Sequence, residues 1–152
     1  MVRQKNRYIL SEIILEGNAY QKASFPAPVI YSSLLRSLQD LHGDFGVASN
    51  LISVKYVNTS TGILITRTKR SNYQQLLQAM ILIKEINKQP LFIRTLHVGG
   101  TLRSCRKFLV KHNQEQIRQV FATCSNEESF RIRDLILKNT FEEAESGDEE
   151  DS

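Results

Sequence analysis

Residues 47–69 read Val-Ala-Ser-Asn-Leu-Ile-Ser-Val-Lys-Tyr-Val-Asn-Thr-Ser-Thr-Gly-Ile-Leu-Ile-Thr-Arg-Thr-Lys. The runs 47–57 and 62–69 are rich in β-branched residues and predict two strands. Between them Asn58-Thr59-Ser60-Thr61-Gly62 predicts a hairpin loop ending on a residue that accepts positive φ. Upstream, Ile30, Leu34, Leu38 and Leu41 share one face of a helix predicted from Pro28 to His42. Pro28 suits its first turn and Gly43 its stop. Downstream, Ser71-Asn72-Tyr73-Gln74 has the capping-box pattern and opens a second helix to about Asn87, which Gln89-Pro90 ends. The outermost segments, 7–15 and 91–98, read as strands. The order is β-α-β-β-α-β. This is the α+β plan of a ferredoxin-like or RRM-like sandwich, an antiparallel four-stranded sheet with both helices on one face.

Helical sequence continues past this unit. Thr101 can cap a segment starting at Leu102, Asn113 and Gln116 offer a restart after His112, and Ser125 with Glu128 caps a last helix to about Asn139. The expected organisation is one α/β domain over residues 1–140 with additional C-terminal helices. An acidic tail at 141–152 cannot bury a core and is expected to be disordered. On the first strand, Ile9, Ile13 and Leu15 point to one face and Tyr8, Leu10 and Ile14 to the other. Both faces are thus apolar. Two helices cover one, so the extra helices or a partner protein should cover part of the other.

Composition narrows the function. Residues 142–152 hold seven acids and no base, while the remaining 141 residues hold twenty Lys/Arg against nine Asp/Glu, a net charge of +11. Such an excess attracts polyanions. No apolar run reaches the ~18 residues of a membrane span, and no signal-peptide pattern follows the N-terminal charges, so a soluble intracellular protein is expected and no membrane partner. Cys105 and Cys124 show no metal or CxxC spacing and read as buried thiols. His42, His97 and His112 are scattered. No nucleophile elbow, Walker loop or HExxH occurs.

Three clusters could bind RNA. The first is the strand-to-helix junction Thr95-Leu96-His97-Val98-Gly99-Gly100-Thr101-Leu102-Arg103. Its two glycines permit close backbone approach, and the helix start offers unpaired N–H groups. A Gly-Gly turn with a threonine cap explains Gly99, Gly100 and Thr101 equally well. Arg103, Lys107 and Lys111 form one stripe at helical spacing, and cations in the first turns oppose the helix dipole, so an external anion explains them better. The second cluster is Arg67, Lys69 and Arg70 at the end of the third strand, and the third is Arg3, Lys5 and Arg7 at the first. Together they would supply a backbone-binding surface. The third strand carries no aromatic, which argues against base stacking on the open sheet. His97 beside the glycines is the one acid/base candidate, and a lone strand histidine is more often structural.

At these residues the chain resembles the processing-of-precursor five family, a protein subunit of ribonuclease P and ribonuclease MRP. The likeness rests on Arg7-Tyr8-Ile9-Leu10, His42-Gly43-Asp44-Phe45-Gly46, Tyr56-Val57-Asn58 with Thr61-Gly62-Ile63 and Arg67, and Thr95 through Arg103 with Cys105 and Lys107. It runs in order over roughly residues 3–125, leaving out the linker at 17–27 and the tail. The resemblance implies a subunit that is no enzyme on its own and supports a catalytic RNA. Ribonuclease P removes 5′ leaders from precursor tRNA, and the MRP enzyme cleaves precursor rRNA. It implies as partners the ribonuclease P RNA, the MRP RNA, a TIM-barrel-like protein subunit and other particle subunits. No cofactor would be held by the protein, Mg2+ belonging to the RNA active site, and the location would be the nucleus and nucleolus. Two other readings compete: an independent RRM-like RNA-binding module, and a small phosphate-handling enzyme using the Gly-Gly turn. The first needs the aromatic strand that is missing here; the second needs turnover by the isolated chain.

Overall fold

The structure is a computed structural model of the 152-residue chain, and it describes residues 4–17 and 24–123. The chain divides into two compact units, Met1–Cys105 and Arg106–Ser152. The elements are β1 (Asn6–Leu15), α1 (Ala27–Asn50), β2 (Ser53–Asn58), β3 (Ile63–Lys69), α2 (Tyr73–Leu82), β4 (Glu85–Ile86), β5 (Gln89–Gly99) and α3 (Leu102–Thr123). The expected helix at 125–139, the tail at 141–152 and Cys124 lie outside the described residues.

The sheet runs in the order β2-β3-β1-β5-β4 with every neighbouring pair antiparallel. This is the ferredoxin-like plan with one short strand added at an edge. Alternation along β1 puts Ile9 and Ile13 on the face covered by α1 and α2, where they join Ile30, Leu34, Leu38, Leu64, Leu76, Met80, Leu91 and Ile93 in the core. Each fully buried aliphatic there contributes about 1.5–3 kcal/mol of transfer free energy. The opposite face carries Leu10, Ile63 and Ile65, which are also buried. Gly62 closes the β2–β3 hairpin as the sequence predicts. Its φ is 74°, its N–H donates to Asn58 O at 2.8 Å, and a Cβ there would stand 2.7 Å from the Ile13 carbonyl oxygen.

Four local expectations are corrected. Gly43 interrupts α1 at φ 66° and ψ −169°, yet helix resumes and runs to Asn50, so residues 47–50 are not strand. Gly46 permits this, since a Cβ there would fall 2.3 Å from the His42 Cβ. Leu51 then ends the helix at φ 45°. Second, α2 stops at Leu82 instead of Asn87, and Asn72 caps it without a side-chain hydrogen bond, so the capping box does not form. Third, the chain after α2 makes the β4–β5 hairpin across Asn87 and Lys88, at φ 52° and 64°. Two consecutive positive φ values are the mark of a two-residue hairpin turn. The sheet therefore has five strands, and Pro90 sits inside β5 rather than stopping a helix. Ile83 and Ile86 are buried three residues apart, a spacing that suits a helix; here Ile83 is the extended residue that ends α2 and Ile86 lies in β4, and both pack on the core. Fourth, α3 is continuous through Asn113 and Gln116 because no glycine or proline breaks it.

Candidate nucleic-acid interface

Antiparallel pairing decides which cations meet. β1 starts where β3 and β5 end. Arg67, Tyr8 and Gly99 lie in one row across three strands, with Arg7 opposite Thr68 and Asn6 opposite Lys69. Lys5, Arg7, Arg67, Lys69 and Arg70 thereby reach one end of the sheet, together with Gly99, Gly100, Thr101 and Arg103. They share an end but not a face. Arg67 and Lys69 alternate onto the face of Tyr8, away from α1 and α2. Arg7 alternates onto the helix-bearing face beside Thr68, whose hydroxyl donates to Asn50 O at 2.7 Å. The Arg70 N–H donates to Lys5 O at 2.9 Å and ties two of these basic segments together. Among the described residues no carboxylate pairs with Lys5, Arg67, Lys69 or Arg70; the Arg94–Glu12 and Arg118–Glu115 pairs lie elsewhere. Clustered cations without counter-charges cost stability unless an anion neutralises them. Arg3 lies outside the described residues.

At the Gly-Gly junction, Gly99 allows close packing. Thr101 Oγ1 accepts the Ser104 N–H at 3.2 Å and caps α3 as expected. A Cβ on Gly99 would approach Cys105 Sγ, Ser104 Cβ and Ser104 Oγ to 3.2 Å each, so glycine lets the helix start press on the end of β5. The Cys105 thiol is buried and faces the Tyr8 carbonyl at 3.6 Å. Burial pushes its pKa up, against a smaller opposing pull from a hydrogen bond with the Gly99 backbone. His97 Nε2 lies 3.3 Å from Ser104 Oγ, so the histidine holds the first turn of α3. From that turn onward Arg103, Lys107 and Lys111 are exposed at four-residue intervals along α3. Phe108 and Leu109 are half-buried, and the Phe108 ring stacks on His112 at 6.2 Å.

The geometry leaves little room for base stacking at this end. Tyr8 is half-buried, and its row neighbours are Arg67 and Gly99. The next row holds Leu10 and Ile65, both buried. Phe92 is half exposed, toward the opposite end of β1. Among the described residues no group of three or more His, Cys, Asp or Glu could hold a metal ion, and no described helix is long and apolar enough to cross a membrane. Sequence reasoning missed Gln4 and Ser71, which join the basic end only through the fold, and Asn50, which it placed in a strand.

Fold and site together define a ferredoxin-like α+β domain that gathers positive charge at one end of its sheet. The model of the Rpp14/Pop5 family matches residues 7–110, and the chain belongs to that family. It is 34% identical to the human ribonuclease P/MRP protein subunit POP5, covering 98% of this chain and 96% of that protein. The zebrafish (Danio rerio) subunit of the same name is 31% identical with full coverage of both chains. The Saccharomyces cerevisiae subunit is 28% identical over 91% of each. A chain in the cryo-EM structure of yeast ribonuclease MRP matches with a TM-score of 0.55 and 14% identity, over 80% of this chain and 98% of that one, a likeness of fold.

Proposed function

We propose that the chain is a protein subunit of ribonuclease P and ribonuclease MRP that supports the catalytic RNA and does not cleave by itself. The observation that carries this is the cationic end built from β1, β3 and the β5–α3 junction, where no described carboxylate pairs with Lys5, Arg67, Lys69 or Arg70, in a chain that belongs to the Rpp14/Pop5 family. Lys and Arg side chains neutralise phosphates and release their counterions, which fixes an RNA fold without supplying a nucleophile or a general base at neutral pH. In this reading the RNA positions the Mg2+ ions that cut precursor tRNA leaders and precursor rRNA, and the protein holds none. Its partners are the two RNAs, the TIM-barrel-like subunit and other particle proteins. An exposed apolar group around the α1 kink and end, Leu41, Phe45 at 81% exposure and Leu51, supports a protein contact in addition to the RNA. The site of action is the nucleus and nucleolus.

The test is to isolate the tagged chain from cells and sequence the RNA that accompanies it. Enrichment of both ribonuclease P and MRP RNAs is expected. Absence of both would sink the proposal, and turnover of precursor tRNA by RNA-free chain would overturn its non-catalytic part.

A further inference from the structure

At the basic end, Gln4, Lys5, Lys69, Arg70 and Ser71 line a shallow, open depression of ≈ 450 Å³. Three of the five are cations, and none is an acid. The backbone beneath is fixed: Arg70 N–H donates to Lys5 O at 2.9 Å, and Asn72 N–H donates to Lys69 O at 3.2 Å. The sides of the depression are therefore held in place, and among the described residues no side chain or carbonyl pairs with the five side-chain heads. From these features we infer that this depression is a discrete phosphate subsite which seats one phosphodiester of a folded RNA. The inference rests on the reading of the basic end as RNA-facing and deepens it by naming the anchoring point.

The chemistry favours phosphate over carboxylate. A guanidinium fork, two ammonium groups, a hydroxyl and a side-chain amide offer more donors than one carboxylate can accept, whereas phosphate oxygens accept several at once. The depression is open rather than enclosed, so a chain can enter and leave on either side. Arg67 lies two residues from Lys69 on the same face of β3, roughly 6.6 Å along the strand. That separation is comparable with the distance between neighbouring phosphates on one RNA strand. Buried Leu10 and Ile65 in the adjacent row hold no base, so the contact follows the backbone.

The experiment uses the full chain in two measurements. Titration with inorganic phosphate, followed by backbone amide NMR, is expected to move the amide signals of positions 70 and 71 first, and to move those of the same positions little in a folded Lys69→Gln/Arg70→Gln variant. In RNA binding, Lys5→Gln/Lys69→Gln/Arg70→Gln is expected to flatten the slope of log K against log salt by about 0.7–0.9 for each phosphate lost. Unmoved Arg70 and Ser71 signals, or an unchanged slope in a folded triple variant, would overturn the subsite. An oligoglutamate peptide that shifts the same signals as strongly as phosphate would overturn the choice of phosphate and point to an acidic protein instead. A flattened slope together with co-isolation of unrelated RNAs would leave the subsite standing and remove the ribonuclease P/MRP assignment. An unchanged slope with intact co-isolation of those RNAs would do the reverse.

Discussion

Asn50→Ala tests how the basic end is held. Asn50 is fully buried at the last turn of α1. Its Nδ2 donates to Gly46 O at 2.8 Å and to Gln75 Oε1 at 2.9 Å, and its Oδ1 accepts the Thr68 hydroxyl at 3.2 Å. One side chain therefore ties α1 to α2 and to the strand position between Arg67 and Lys69. Truncation removes three hydrogen bonds at about 0.5–1.5 kcal/mol each. Thr68 keeps its second acceptor, the Asn50 carbonyl at 2.7 Å, which limits the loss. Gln75 keeps access to solvent because it is only half-buried. The remaining void adds on the order of 1 kcal/mol. The sum is about 2–4 kcal/mol of destabilisation, or roughly 5–15 °C in Tm for a chain of this size. Urea unfolding followed by circular dichroism measures it. A loss below ~1 kcal/mol would refute the claim that this residue locks α1, α2 and β3 together. The folded fraction of the variant should bind RNA with an unchanged salt slope, because no cation has been removed.

Other changes probe separate parts of the molecule. Gly62→Ala meets both the left-handed φ and the Ile13 carbonyl; it is expected to cost about 2–4 kcal/mol, measured by the same unfolding assay, and a cost under ~1 kcal/mol would contradict the close approach. Replacing Arg103, Lys107 and Lys111 together by Gln should lower the salt slope of RNA binding by up to ~2.7, and an unchanged slope would remove this stripe from the interface. Burial raises the Cys105 pKa, so its contribution to stability is complete below the pH at which an unfolded thiol ionises and is lost as pH rises through the folded value. Iodoacetamide labelling of Cys105 at mildly alkaline pH, read by mass spectrometry, should accordingly be much slower in the native than in the denatured protein; equal rates would deny the burial. Deleting residues 142–152 takes the chain from +4 to +11 and should tighten binding to unrelated RNA at low salt, with no change showing that the tail charge is passive.

The sequence alone determined the β-α-β-β-α-β order, though not the added strand β4, because the β-branched runs of β1 and β3 and the Ile30-Leu34-Leu38 spacing are local patterns that burial rewards directly. It also determined the Gly62 turn, the Thr101 cap and the identity of the basic groups, since each depends on a neighbour within a few residues. Residues 47–50 read as strand because they adjoin the β-branched run of β2, and residues 83–87 read as helix because Ile83 and Ile86 keep the i, i+3 spacing of α2. Only the tertiary structure decided between them, through Asn50 bonded to Gln75 and Thr68 and through Ile83 and Ile86 on the core. The tertiary structure also decided which basic residues meet. Lys5 and Arg70 are far apart in the chain, and antiparallel pairing of β1 with β3 brings their backbones into hydrogen-bond contact at 2.9 Å. The same pairing sends Arg7 to one face and Arg67 to the other, which no count of charges could foretell. The fold also presses Gly99 against Ser104 and Cys105 at the start of α3, a contact the sequence does not show. Charge is a property of residues, and a binding surface is a property of the strand register that gathers them.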